Sequence, residues 1–381
     1  VPSAPVLTPT TPTTPLSPRA TSWNRGLAAA PGRLDLEVPA ARVDGRIPPE
    51  LHGGRLLSNG PGWSVIGGVT AHPFDGHGYV RALAFRRDGS VRLTARFVET
   101  PSYRDEAAAG RLVDRGLATN LPGPFWRNLG LGRRPRNVAN TTIVRWGDRL
   151  LAGWEGGAPY ALDPSTLATR GEETFGGAIA GVATLAHMKY EAASGRLILC
   201  SVEMGPPMRL TFREVDRSGR VVAAHQAELP GRRFVHDFAL TPQWCVVGGN
   251  PIRLRPPRLA GALLGASTLL RAIATDPDAP PSLHLIPRGG GPTRTLRLPA
   301  PGWVVHFGGA FERDGAVVVD ACVLPRFEFG EEFGYAGPAA PFDPTRPEAR
   351  GPQRLYRITA PPGASEATWE PLCGYGVDFP R

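Results

Sequence analysis

Short β-type runs joined by tight glycine turns recur along the chain, and this pattern constrains the fold more than any other feature. The clearest are ALAFRRDGSVRLTARFV around Asp88-Gly89, TIVRWGDRLLAGW around Gly147-Asp148, YEAASGRLILCSV around Ser194-Gly195, TFREVDRSGRVVAA around Ser218-Gly219 and GAFERDGAVVVDACV around Asp314-Gly315. Glycine supplies the positive φ that such turns require, so each reads as a β-hairpin. Hairpins spread through 381 residues predict an all-β protein. A sandwich of this length is unusual, whereas the spacing fits a β-propeller with about 40 to 50 residues per blade. Regular Gly-His and Trp-Asp pairs do not recur, which argues against the WD40 and kelch types.

One segment breaks the pattern. In RLRPPRLAGALLGASTLLRAI, Arg258 and Arg271 bracket twelve apolar or small residues, too few for the about 20 that span a bilayer. It reads as a helix packed on the propeller, or as an interfacial patch. In the second reading Leu259, Leu263, Leu264 and Leu270 dip into a membrane while Arg253, Arg255 and Arg258 stay at the headgroups. The stretch LPGPFWRNLGLGRRPR could share that face. At the other end, the Pro/Thr/Ser tract VPSAPVLTPTTPTTPLSPRATSW has no apolar core and is not a secretory signal. Residues 1–30 are expected as a disordered tail and 31–381 as the folded domain. Because the chain opens on Val1, a processed form or a fragment is expected.

The net charge of +9 suggests nucleic acid until the basic residues are sorted. Lys189 is the only lysine, and the arginines are scattered among acids. That reads as a solvated basic surface with a weak pull toward anionic membranes, not a phosphate-binding footprint. Cys200, Cys245, Cys322 and Cys373 form no CxxC pair. They are expected to be buried free thiols of a cytoplasmic protein, peripheral on a membrane at most.

The chain carries no GxxxxGK[ST], HExxH or GxSxG motif and no GxGxxG after a strand, which removes the main support for phosphate-cradling, zincin and serine-hydrolase readings. What remains is eight histidines. Three share a context at the start of a strand or hairpin: His187 in TLAHMKYEAASGRLILC, His236 in RFVHDFALTPQWCVV and His306 in GWVVHFGGAFERDGAVVVD. Neutral imidazoles converging from separate blades suit a mid-row transition metal. Taken singly, each reads as a core or capping histidine. His52, His72, His77, His225 and His284 read as surface or structural.

These contexts belong to a longer series of motifs. RIPPELHGGRLLSNGPGW, AHPFDGHGYVRALAF, ARFVETPSY, NVANTTIVRWGDRLLAGWEGGAPYALDPSTLAT, RLYRITAPP and GYGVDFPR accompany them between Val43 and Arg381. In these motifs the chain resembles the carotenoid cleavage oxygenase family, most closely its bacterial apocarotenoid-cleaving type. The resemblance implies a seven-bladed β-propeller with a helical or loop cap, and iron(II) held on its axis by four histidines. It implies a non-haem dioxygenase that cleaves a conjugated double bond of a carotenoid or apocarotenoid with O2, giving aldehyde or ketone products. His187, His236 and His306 match three of the ligands. Glu155, in GWEGG, matches a glutamate that accepts a hydrogen bond from a ligand imidazole. Asp378, in VDFPR, stands where the family has a second such glutamate. Its shorter side chain is expected to give a longer, water-mediated or absent bond. Thr141, in NVANTT, matches a threonine close to the iron; an ordinary strand threonine is the plain alternative.

The departures carry expectations of their own. No histidine follows His306, whereas the family's fourth ligand and third glutamate lie further on. The resemblance therefore implies a chain that ends before the last propeller strands, as a fragment or as a truncated relative. His77 replaces a common aspartate and Ser58 a common arginine, both read as turn variation. Two alternatives to polyene cleavage follow. One is a stilbene-cleaving dioxygenase of the same family, disfavoured because those relatives orient a phenol with a Tyr and Lys pair. The other is a carotenoid binder without catalysis.

Overall fold

All five sequence hairpins form, and their turn glycines carry the positive φ expected of them: 78° at Gly89, 58° at Gly147, 68° at Gly195, 92° at Gly219 and 75° at Gly315. The computed structural model describes residues 30, 32–130, 136–205, 207–299, 302–325, 327 and 353–378. The expected Pro/Thr-rich tail, apart from Ala30, lies outside the described residues.

Among these residues the strands build five antiparallel sheets of four to six strands and one two-stranded ribbon. The first sheet is ordered Arg33–Val38, Val91–Phe97, His77–Phe85, Arg55–Ser58. The second runs Thr169–Glu172, Tyr160–Leu162, Arg149–Gly153, Thr142–Trp146. The third is the simple meander Lys189–Glu191, Arg196–Glu203, Met208–Val215, Val221–Leu229. In the fourth, the long strand Trp244–Leu254 pairs with Arg233–Phe234, Phe238–Leu240, Ile273–Thr275 and Ser282–Pro287, and Arg294–Arg297 closes the edge. The fifth is the meander Trp303–Arg313, Ala316–Leu324, Arg354–Ala360, Thr368–Pro371.

Successive sheets pack face to face in chain order, each pair sharing an apolar cluster. Val80 and Ala82 of the first, with Val98 just past its Val91–Phe97 strand, meet Ile143, Leu150 and Ala152 of the second. Trp146 and Leu151 meet Leu197, Leu199 and Val215. Ile198, Leu210 and Phe212 meet Phe238, Cys245 and Val247. Val246, Leu283 and Leu285 meet Val304, Val317 and Val319. A sheet covered on both faces needs apolar residues at consecutive positions, which is why AVVVDACVL of Ala316–Leu324 reads as a run and not an alternation. The outer strand Val221–Leu229 alternates exposed with covered positions along most of its length, as an edge requires.

Among the described residues two α-helices interrupt the sheets. Pro101–Ala109 starts with Thr100, whose Oγ1 accepts the Tyr103 N–H at 3.2 Å, and ends at left-handed Gly110, φ 63°. Pro256–Leu263 carries the Arg-bracketed segment, but the helix stops there, short of the twelve-residue run. The segment then turns through Gly265, φ 79°, into the 3₁₀ turn Leu270–Ala272. No helix among the described residues is long and apolar enough to cross a membrane.

Candidate metal centre

The strands that begin nearest the histidines are sheet edges, and they lie side by side. His187 precedes Lys189–Glu191, His236 lies between Arg233–Phe234 and Phe238–Leu240, and His306 sits within Trp303–Arg313. The Phe238–Leu240 and Trp303–Arg313 strands are in contact. Three successive sheets thus bring three imidazoles together, with one ligand nitrogen from each lying within 4.8 Å of the others. Ring centroids are 4.7 Å apart for His187 and His236, and 5.1 Å for each pair with His306. All three interplanar angles lie between 60° and 76°, so the rings meet edge to face instead of stacking.

Carboxylates take two of the three outward nitrogens. Glu155 Oε2 lies 3.1 Å from His236 Nδ1 and also accepts the Ala186 N–H at 3.3 Å. Asp378 Oδ1 lies 2.7 Å from His306 Nδ1 and accepts from Gln353 Nε2 at 2.9 Å. The expectation of a long, bridged or missing Asp378 bond is therefore corrected. The backbone carries the shorter side chain close enough for direct contact, and Gln353 holds it there. With Nδ1 engaged, His236 presents Nε2 to His187 Nε2 at 3.2 Å. Two imidazole lone pairs at that distance repel unless a proton or a cation lies between them. An all-imidazole set with outward nitrogens on carboxylates fits a transition metal.

The electrostatics agree with that fit. Burial pushes His187 well below the ordinary imidazole range; Asp237 opposes the shift, while His236, His306 and Lys189 add to it. His187 is thus neutral, as a ligand must be. Burial would lower His236 too, but the Glu155, Asp237 and Asp378 carboxylates together outweigh it and raise the group.

Thr141 is half-buried immediately before Thr142–Trp146; its N–H donates to Gly153 O at 3.1 Å and its hydroxyl to Asn140 Oδ1 at 3.1 Å. Its neighbour Thr142 donates to the Ala186 carbonyl, beside His187. Of the four leucines expected at a membrane, Leu263 and Leu264 are exposed and Leu259 is half-buried. Leu270 is corrected: it packs against Ile252, Trp303 and Phe327, because the chain has already turned inward there. Exposed Phe125, Trp126 and Leu129 lie alongside, joined through the Gly130 N–H to the Leu263 carbonyl at 2.8 Å.

Sequence reasoning passed over two residues of the site. Asp237 follows His236 and is buried, and Lys189 places Nζ 2.8 Å from its Oδ1. With Thr142, His187, His306 and Phe307 they line a cavity of about 420 Å³. The signals were present: a carboxylate next to a ligand, and a lone lysine in a chain that otherwise uses arginine. His77 is likewise no turn variant. It is fully buried, 2.7 Å from Glu106 Oε2, which Arg136 Nη2 also reaches at 2.6 Å. Cys200, Cys245 and Cys322 are buried free thiols as expected, but Cys373 is only half-buried.

The model of the family described as retinal pigment epithelial membrane protein matches residues 29–381. The apocarotenoid-15,15'-oxygenase of Synechocystis sp. is 34% identical over 369 residues, covering 94% of this chain and 72% of that protein. The chain belongs to this family, the carotenoid cleavage oxygenases. The chloroplastic carotenoid cleavage dioxygenase 7 of Oryza sativa subsp. japonica is 32% identical, covering 84% of this chain and 63% of that protein. The structure of cobalt-substituted Synechocystis apocarotenoid oxygenase aligns with TM-score 0.80 at 33% identity, covering 92% of this chain and 72% of that one. This family member is therefore of the carotenoid-cleaving dioxygenase class and spans 63% to 72% of the length of these relatives.

Proposed function

We propose that the protein is a non-haem iron(II) dioxygenase cleaving one conjugated double bond of an apocarotenoid or carotenoid. The observation that carries this is the cluster of His187, His236 and His306, with two outward nitrogens on carboxylates, in a carotenoid cleavage oxygenase chain. Iron(II) bound there supplies the chemistry of O2 activation. The reaction breaks one C=C bond and forms two C=O bonds, both oxygens coming from one O2. The three histidines would hold the iron through their inward nitrogens, Glu155 and Asp378 would fix the imidazole orientations, and Thr141 would limit the space beside the metal. In this reading the five packed sheets are blades of a seven-bladed propeller, and the two helical segments contribute to its cap.

A polyene needs apolar surroundings, and an aromatic group adjoins the cluster on one side. Phe234 stacks parallel to His236 at 6.1 Å, within 8°, and continues into Trp303 at 5.8 Å and Phe327. Leu270 packs against this group. Beyond it Leu263, Leu264, Phe125 and Trp126 would rest on the membrane from which a water-insoluble substrate is drawn. The stilbene alternative wants a lysine for the phenol, and Lys189 is engaged with Asp237.

The test is O2-dependent loss of the visible absorbance of an apocarotenal with iron-loaded protein. No loss across carotenoids and apocarotenoids, with iron bound, rejects catalysis, and pigment that co-purifies unchanged under air would identify a binder.

A further inference from the structure

We propose that Asp237 is the positioning residue of the histidine cluster, one buried carboxylate that ties together the three segments carrying His187, His236 and His306. This rests on the metal-centre reading and adds a residue to it. Asp237 follows His236 directly, so its backbone is fixed to one of the three ligands. Its Oδ2 accepts the Phe307 N–H at 2.9 Å, and Phe307 follows His306. Its Oδ1 accepts from Lys189 Nζ at 2.8 Å, two residues beyond His187, and from the Phe238 N–H at 2.7 Å. The same Oδ1 faces His187 Nδ1 at 3.8 Å, too far for a hydrogen bond but close enough to favour the tautomer with its proton on Nδ1. That tautomer leaves Nε2 bare toward His236. One side chain thus touches each ligand or its immediate neighbourhood, across sheets separated by dozens of residues.

Geometry explains why the residue is an aspartate. Donors approach both oxygens: ammonium and amide on Oδ1, amide on Oδ2. An asparagine offers one acceptor oxygen and one donor NH2, so in either orientation it sets donor against donor. Burial makes the mismatch costly, since no water replaces the lost partner. Lys189 in turn keeps Oδ1 directed along the Lys189–Glu191 strand. Without that ammonium the carboxylate is free to rotate toward His187 and change the donor geometry of the cluster.

Cobalt(II) titration of the metal-stripped full chain, read through its visible d–d absorption and followed by thermal melting, tests the assignment. Unmutated protein is expected to bind cobalt and give a defined band. Asp237→Asn is expected to weaken binding about tenfold or more and shift the band, an effect that a purely structural residue would not produce in protein that still melts cooperatively. Lys189→Met, which leaves the carboxylate and its bond to Phe307, is expected to move the same band with a smaller loss of affinity. Should Asp237→Asn fail to fold, the Lys189→Met band decides. A folded Asp237→Asn protein with unchanged affinity and spectrum overturns the assignment, as does an unchanged Lys189→Met spectrum where Asp237→Asn is unfolded. If the unmutated protein takes up no cobalt, the metal-centre reading itself falls, and this assignment falls with it.

Discussion

Exposed Asp378, on buried His306, and the hydroxyls on buried His284 show how differently contacts to two imidazoles act. Asp378 touches a proposed ligand, so Asp378→Asn should lower cobalt affinity about 10- to 100-fold with little change in melting temperature. His284 touches no metal residue; its nitrogens each lie 2.9 Å from a hydroxyl, of Ser282 and Thr295. Burial, helped by Arg233, pushes it down to about 4. The folded state therefore stays neutral where the unfolded chain, at about 6.5, already takes a proton. Its stabilisation is complete above pH 6.5 and is lost as pH falls toward 4. Unfolding free energy measured against pH should drop by roughly 3 kcal/mol across that window from this group, and His284→Gln should flatten the slope. Neither contact could be read from sequence. Side-chain length alone argued against a direct Asp378 bond, and nothing local to His284 marks its burial. The three clustered histidines were legible because each sits in a recognisable sequence motif.

At the level of elements, hairpins announce themselves through local turn chemistry, whereas the packing between sheets is non-local and leaves only runs of valine and leucine behind. Gly153 illustrates the second kind. Its position at the end of Arg149–Gly153 looks unremarkable in the sequence, yet a Cβ there would strike the Ala186 carbonyl and stand 2.6 Å from Thr142 Oγ1. Those atoms adjoin His187, so Gly153→Ala should cost about 1 to 3 kcal/mol in chemical denaturation and also weaken cobalt binding. Arg115 shows a further limit of sequence reading. Among arginines read as a solvated surface, it is buried, and its guanidinium donates to the Asn128, Gly130, Ala262 and Ser267 carbonyls. It clamps the Phe125–Asn128 turn to the Pro256–Leu263 helix, two segments more than a hundred residues apart. Charge counting cannot distinguish such an arginine from an exposed one.

For the whole molecule, this clamp means that the exposed Phe125, Trp126, Leu263 and Leu264 form one surface. Each such side chain entering a bilayer contributes about 1.5 to 3 kcal/mol. Trp126→Asp and Leu264→Asp should therefore each reduce co-sedimentation with liposomes about tenfold or more, with an unchanged melting temperature, since the residues are 62% and 60% exposed. Unaltered sedimentation would show that this surface is not a membrane-docking face. Lys189 has a practical consequence at the same scale. Its amine is the sole lysine amine of the 381 residues, and it sits on the wall of the cavity beneath the histidines. A lysine-directed acylating reagent therefore has a single side-chain address on the chain. The speed of labelling gauges how often the Asp237 pairing opens, and any molecule filling that cavity should slow the label, whether or not it is coloured or turned over.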